Sequence, residues 1–193
     1  MKKVVLFGDS LTAGFDGQTT SDVLTQEVAQ DLENMGFPMT VKNFGHRGDT
    51  TFDALKRLPE VLAENPDYVT VFFGNDLLHN EVTKEEYIKN IQSLTEKIGP
   101  DKVILITPAY VDPKLHHEDR RGQDIHSYGK ALVDYAKENN LSHLDLAYHM
   151  TVYPKADEFL LADGLHLSKW GNELLGNLIA RNIKILELKK LEV

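Results

Sequence analysis

The chain has 193 residues, 41% hydrophobic and 26% charged, a balance that fits a globular protein with its own core and not a disordered or fibrous one. Its formal charge of −9, with no cluster of Lys and Arg, disfavours nucleic acid and anionic membrane surfaces as partners. Cysteine is absent, which excludes disulfides and thiolate metal sites, and no apolar stretch approaches the roughly 20 residues of a membrane span. The expectation is therefore one cytoplasmic domain over residues 1–193, with no nucleic-acid partner and no membrane insertion.

Val4-Val5-Leu6-Phe7 reads as a strand buried on both faces, running into a turn at Gly8-Asp9-Ser10. Val23, Leu24, Val28, Leu32 and Met35 recur at a helical period within 19–35, and Gly36-Phe37-Pro38 ends that helix. Residues 39–44 form a second strand, closing at Gly45-His46-Arg47-Gly48. A helix capped by Thr50 or Thr51 runs to about Glu64, with Phe52, Leu55, Leu58, Val61 and Leu62 inward. Residues 68–73 are a third strand, ending at Gly74-Asn75-Asp76. Thr83 and Glu86 make a capping box for a helix to about Ile98. Residues 102–107 are a fourth strand, followed by a polar loop over 108–123 and a helix over about 124–139. A fifth strand over 142–146, an irregular stretch over 147–164 and a terminal helix over about 168–191 complete the chain. That helix places Leu174, Leu175, Leu178, Ile179, Ile185 and Leu186 near one stripe to cover the sheet. Leu188, Leu191 and Val193 at its end are a surplus that suits a subunit contact, so a homo-oligomer is one expectation.

Strand and helix alternate five times, which calls for a parallel sheet with helices on both faces. The expected fold is a three-layer α/β/α sandwich, with strand order 2-1-3-4-5 placing the first strand centrally. In such sheets chemistry sits where loops leave the carboxyl ends of the strands.

Four of those strand ends carry suitable groups. Ser10 follows the first strand as a candidate nucleophile; the bland alternative is a helix cap, and Thr12 stands where a Gly-x-Ser-x-Gly elbow would have its last glycine. Asp163-Gly164-Leu165-His166 follows the fifth. A base needs its imidazole held in one tautomer, and a carboxylate three residues away in a turn can do that; the alternative is a capping Asp beside an exposed His. Between Gly45 and Gly48, backbone N–H groups lie before a helix N-terminus, suited to a developing oxyanion or simply to making a turn. Asn75 can donate its amide to the same oxyanion, or serve ordinary turn chemistry. Leu77, Tyr110 and Leu161 lie in the apolar runs best placed for an acyl pocket, although such runs are also plain core. His46, Arg47, His79, His116 and His117 are candidate rim residues, with solvated loop side chains as the alternative.

Gly8-Asp9-Ser10-Leu11, Gly48, Asn75 and Asp163-Gly164-Leu165-His166 resemble, in order, the four blocks of the SGNH or GDSL-type hydrolases. The blocks span Gly8 to His166. The resemblance implies a flavodoxin-like fold and ester hydrolysis through an acyl-enzyme, with Ser10 as nucleophile and His166 as base oriented by Asp163. It implies an oxyanion hole from the Ser10 N–H, the Gly48 N–H and the Asn75 side chain, and neither metal nor organic cofactor. One block departs from the family's Gly-x-Asn-Asp: Gly74 directly precedes Asn75, and Phe73 stands at the glycine position. The expected substrate is a small-molecule ester with a short or polar acyl group. The alternatives are a metal-dependent phosphoesterase using Asp9, Asp76 and Asp163, and a non-catalytic carbohydrate-binding module on the same fold.

Overall fold

Five parallel strands hydrogen-bond in the order β2-β1-β3-β4-β5 in a computed structural model that describes residues 1–74, 82–116 and 122–191. They are β1 (Lys3–Gly8), β2 (Thr40–Gly45), β3 (Tyr68–Phe72), β4 (Val103–Ile106) and β5 (Ser142–Leu144). The helices are α1 (Val23–Asn34), α2 (Thr51–Ala63), α3 (Lys84–Ile98), α4 (Gly122–Glu138), α5 (Leu146–Thr151) and α6 (Lys169–Leu191). The strand order is the expected 2-1-3-4-5, one of the doubly wound orders that the alternation of elements leaves open.

The strands are apolar almost throughout because both faces of the sheet are covered. Val4 and Leu6 of β1, with Phe72 and Ile104, pack against Leu24 and Val28 of α1 and Leu175, Ile179 and Ile183 of α6. Val5 and Phe7, with Val69, Val71 and Leu105, pack the other way on Leu58 and Val61 of α2, Ile91 and Leu94 of α3, and Leu132 of α4. The period of two along each strand thus splits one chain into two cores. Register fixes it: Val4 lies opposite Val41, and Phe7 opposite both Phe44 and Val71.

Three local expectations are corrected. Phe52 and Leu62 do not point inward; both are exposed, and the buried side of α2 is Thr51, Ala54, Leu58 and Val61. The buried stripe runs through Thr51, Ala54, Leu58 and Val61 at helical spacing, which leaves Phe52 and Leu62 to either side of it. Ile185 is 53% exposed, because the buried line of α6 runs through Leu175, Ile179, Ala180 and Ile183 instead. The stretch 147–164 is not wholly irregular: it contains nearly all of α5, started by Asp145, whose Oδ1 accepts from the Tyr148 N–H at 3.1 Å, and a 3-10 turn at Ala156–Phe159. No helix among the described residues is long and apolar enough to cross a membrane.

Candidate active site

At the carboxyl end of β1 the chain turns immediately. The Ala13 N–H donates to the Asp9 carbonyl and the Phe15 N–H to the Ser10 carbonyl, each at 3.0 Å. Asp9 is only 2% exposed: Oδ1 accepts from the Leu11 N–H at 2.9 Å and Oδ2 from the Gly74 N–H at 2.8 Å. One buried carboxylate therefore ties the turn that carries Ser10 to the end of β3. Ser10 itself is half-buried at the apex.

The loop after β2 docks on the same turn. The His46 N–H donates to the Gly8 carbonyl at 3.0 Å, and Asn43 Nδ2 donates to the Thr12 carbonyl at 2.7 Å. Gly48 adopts φ +80, a conformation that side chains with a Cβ seldom take, and it lies exposed just before α2. Behind it Asp49 accepts from Arg57 Nε at 2.5 Å and is bonded to His46 Nδ1 at 2.9 Å. A rigid ion pair thus backs the loop, and α2 directs the positive end of its dipole toward the site.

The turn after β5 supplies the acid–base pair. Asp163 Oδ2 lies 2.7 Å from His166 Nδ1, while Oδ1 accepts from the N–H groups of Leu165 and His166, both at 3.0 Å. Burial pushes the Asp163 carboxyl up, but the hydrogen bonds from the His166 ring and from these two amides, with the charge of the imidazole, bring it below the usual carboxylate range. An ionised carboxylate only accepts, so Nδ1 is the ring's donor and Nε2 of the neutral ring is left to take a proton. The His166 side chain is 12% exposed and stands edge-on to Phe15, with ring centroids 4.9 Å apart. Phe15 is the residue whose N–H bonds the Ser10 carbonyl. The acid–base pair is thereby docked on the turn that carries Ser10.

The loop after β4 clamps this turn from outside. The Asp112 N–H donates to the Gly164 carbonyl at 2.9 Å, and His116 Nε2 lies 2.6 Å from the Asp163 carbonyl. Gly164 has φ +70, and a Cβ there would come within 2.8 Å of Leu115 Cδ1 and 3.0 Å of Asp112 Cβ. The positive φ favours glycine, and Asp112 leaves a Cβ little room, whereas the exposed Leu115 side chain can turn aside.

Of the residues expected from sequence, Ser10, Gly48, Asp163 and His166 thus stand on neighbouring loops at one edge of the sheet. Asn75 and Leu77 lie outside the described residues. Tyr110 is half-buried at the wall of a cavity of about 550 Å³ shared with Val111, Ile125 and Ala147. Leu161 reaches the site through its backbone, donating its N–H to the His166 carbonyl at 2.7 Å. Phe15 and Asp112 were not expected: neither belongs to a periodic pattern, and only the folded loops bring them to His166 and Gly164. Among the described residues no group of three or more His, Asp or Glu side chains is arranged to hold a metal ion.

Comparison with known proteins points the same way as this geometry. The family model described as GDSL-like lipase/acylhydrolase matches residues 6–174. Among curated relatives, a human isoamyl acetate-hydrolyzing esterase 1 homolog is 31% identical over an alignment covering 90% of this chain and 77% of that protein. A GDSL esterase/lipase of Arabidopsis thaliana is 29% identical, covering 95% and 86%. Among solved structures, a lipase/acylhydrolase from Enterococcus faecalis superposes with a TM-score of 0.91 at 47% identity, covering 95% of this chain and 96% of that one. An acetylxylan esterase from Geobacillus stearothermophilus, crystallised as a catalytic mutant, gives 0.75 at 25% identity and covers 94% of each chain.

Proposed function

We propose, from the premise that this chain belongs to the GDSL-like lipase/acylhydrolase family and is a carboxylic ester hydrolase, that it cleaves short-chain or polar acyl esters through an acyl-enzyme on Ser10. Ser10 Oγ attacks the ester carbonyl while His166 Nε2 takes its proton. Asp163 holds the imidazole in the required tautomer and stabilises the imidazolium that forms. The oxyanion of the tetrahedral intermediate is met by the N–H groups of Ser10 and Gly48 at the positive end of α2, and the family resemblance implies the Asn75 amide as a third donor. Collapse breaks the bond to the alcohol oxygen, which leaves with the proton from His166. Water then attacks the acyl-enzyme by the same route in reverse and frees the acid and Ser10.

The observation that carries this reading is the Asp163–His166 pair, bonded at 2.7 Å and packed edge-on against Phe15 of the Ser10 turn. The polar character of residues 108–123 supports a hydrophilic substrate. The acetyl esters named for the isoamyl acetate and acetylxylan esterases to which the chain is similar support a short acyl group. A panel of p-nitrophenyl esters from acetate to palmitate tests it. Turnover is expected to be highest at the short acyl chains and absent in Ser10→Ala. A maximum at palmitate overturns the substrate class, and equal activity in Ser10→Ala overturns the mechanism.

A further inference from the structure

We propose that Arg47 selects esters whose alcohol part carries an anionic group, an inference that rests on the acyl-enzyme reading above. Two arginines serve the loop between β2 and α2, and their donors are used differently. Arg57 is half-buried and spent: Nε donates to Asp49 at 2.5 Å, Nη1 and Nη2 donate to the Phe44 carbonyl at 3.3 and 3.2 Å, and its guanidinium faces the Phe7 ring. Arg47 is exposed, and among the described residues no carboxylate pairs with it; the nearest acid in sequence, Asp49, is bonded to Arg57 and His46. What holds Arg47 is the face of Phe15, 3.6 Å from guanidinium carbon to ring centroid. Stacking occupies the plane of the guanidinium and leaves its N–H fork, which matches carboxylate and phosphate oxygens, directed outward.

Its position tells which half of the substrate it meets. Arg47 stacks on a face of the Phe15 ring and His166 meets the same ring in a T-shaped contact, centroids 4.9 Å apart, so cation and imidazole share one aromatic neighbour. His166 must protonate the departing alcohol oxygen, so the alcohol occupies the His166 side of the site. A cation fixed there favours a negative group on the alcohol half of the substrate.

Matched acetyl esters test the proposal: 3- and 4-acetoxybenzoate, each against its own methyl ester, with wild type, Arg47→Gln, Arg47→Lys and Ser10→Ala. The readout is the ratio of kcat/KM for the anion to that for its neutral partner, because any general disturbance of Phe15 and His166 cancels from it. A charge-assisted hydrogen bond predicts a ratio about tenfold or more higher in wild type than in Arg47→Gln, partly kept by Arg47→Lys and reduced by added salt. Equal ratios in wild type and Arg47→Gln for both pairs overturn the proposal, including the case in which the variant slows anion and neutral ester alike. If none of the four esters shows Ser10-dependent hydrolysis, the acyl-enzyme reading itself fails and takes the inference with it. Ser10-dependent turnover with a flat ratio removes Arg47 alone.

Discussion

The sheet carries a carboxylate cluster at each end, and the two are finished differently. At the amino end Glu187 of α6 accepts from Lys2 at 2.5 Å and from the Tyr68 hydroxyl, with Lys190 bonded to Tyr68 at 2.8 Å. Burial raises the Glu187 carboxyl, and the bonds from Lys2 and Tyr68 with the charges of Lys2 and Lys190 more than offset it, leaving the acid below its ordinary range. Burial, then the bond and charge of Glu187, push the Tyr68 hydroxyl up. Each of these groups answers another. At the carboxyl end Asp163 is lowered by the same kinds of contact, yet its partner His166 keeps Nε2 for a reacting proton. A saturated cluster fastens a helix to a sheet, whereas one with a ring nitrogen to spare can do chemistry.

Substitutions at the two ends should separate these roles. The largest effect is expected from Asp163→Asn, which keeps the shape but no longer enforces the tautomer. It should lower kcat by about 10⁴-fold with little change in melting temperature, and a loss under about tenfold would place the orienting role elsewhere. Next is Gly164→Ala, which meets a positive φ and a tight approach to Asp112 Cβ. It should displace the pair and cost on the order of a hundredfold in rate, together with more than about 1 kcal/mol of stability; wild-type rate in this variant would refute the clamp. Acidification comes third. Asp163 stays charged because its carboxyl is held below the usual carboxylate range, so it keeps orienting the ring as pH falls to about 5. A carboxyl at Asp163 that takes up its proton above that pH, read by infrared or NMR titration, contradicts the pairing.

The smallest effect belongs to the amino end. Glu187→Gln should cost about 1–3 kcal/mol, lowered because Lys2 and Lys190 are half exposed, and roughly 2–4 °C in melting temperature per kcal/mol, with turnover unchanged. The folded pKa of Glu187 is depressed, so its contribution is complete above an unfolded value of about 4.3 and is lost as pH falls through the lowered folded value. The gap in melting temperature between wild type and Glu187→Gln should therefore begin to narrow as pH falls past about 4.3 and close only once pH is below the lowered folded value. A gap that persists there, or a parallel fall in turnover, would erase the distinction between the two ends.

Legibility in the sequence followed the length of each signal. The buried strands were readable because a sheet covered on both faces needs unbroken apolar runs, as in Val4 to Phe7, and the longer helices because several turns repeat a stripe. Helix α5 was not, since six residues show no period and its start depends on where Asp145 points. Phe52 and Leu62 misled because large apolar residues outweighed small Ala54, which marks the actual contact. Asp163 and His166 were readable because they are three residues apart in one turn. Phe15, Asp112 and the Glu187–Tyr68 pair were not, because their partners are distant in sequence and meet only across the finished sheet.

The central claim is that Ser10 is a nucleophile activated by the pair at Asp163 and His166. The most direct measurement is reaction with a fluorophosphonate followed by mass analysis of the peptide that contains Ser10. One equivalent on Ser10 is expected in wild type, with labelling slowed by orders of magnitude in His166→Ala and abolished in Ser10→Ala. Undiminished labelling of Ser10→Ala, or no labelling of a wild-type protein that hydrolyses esters, would contradict the account.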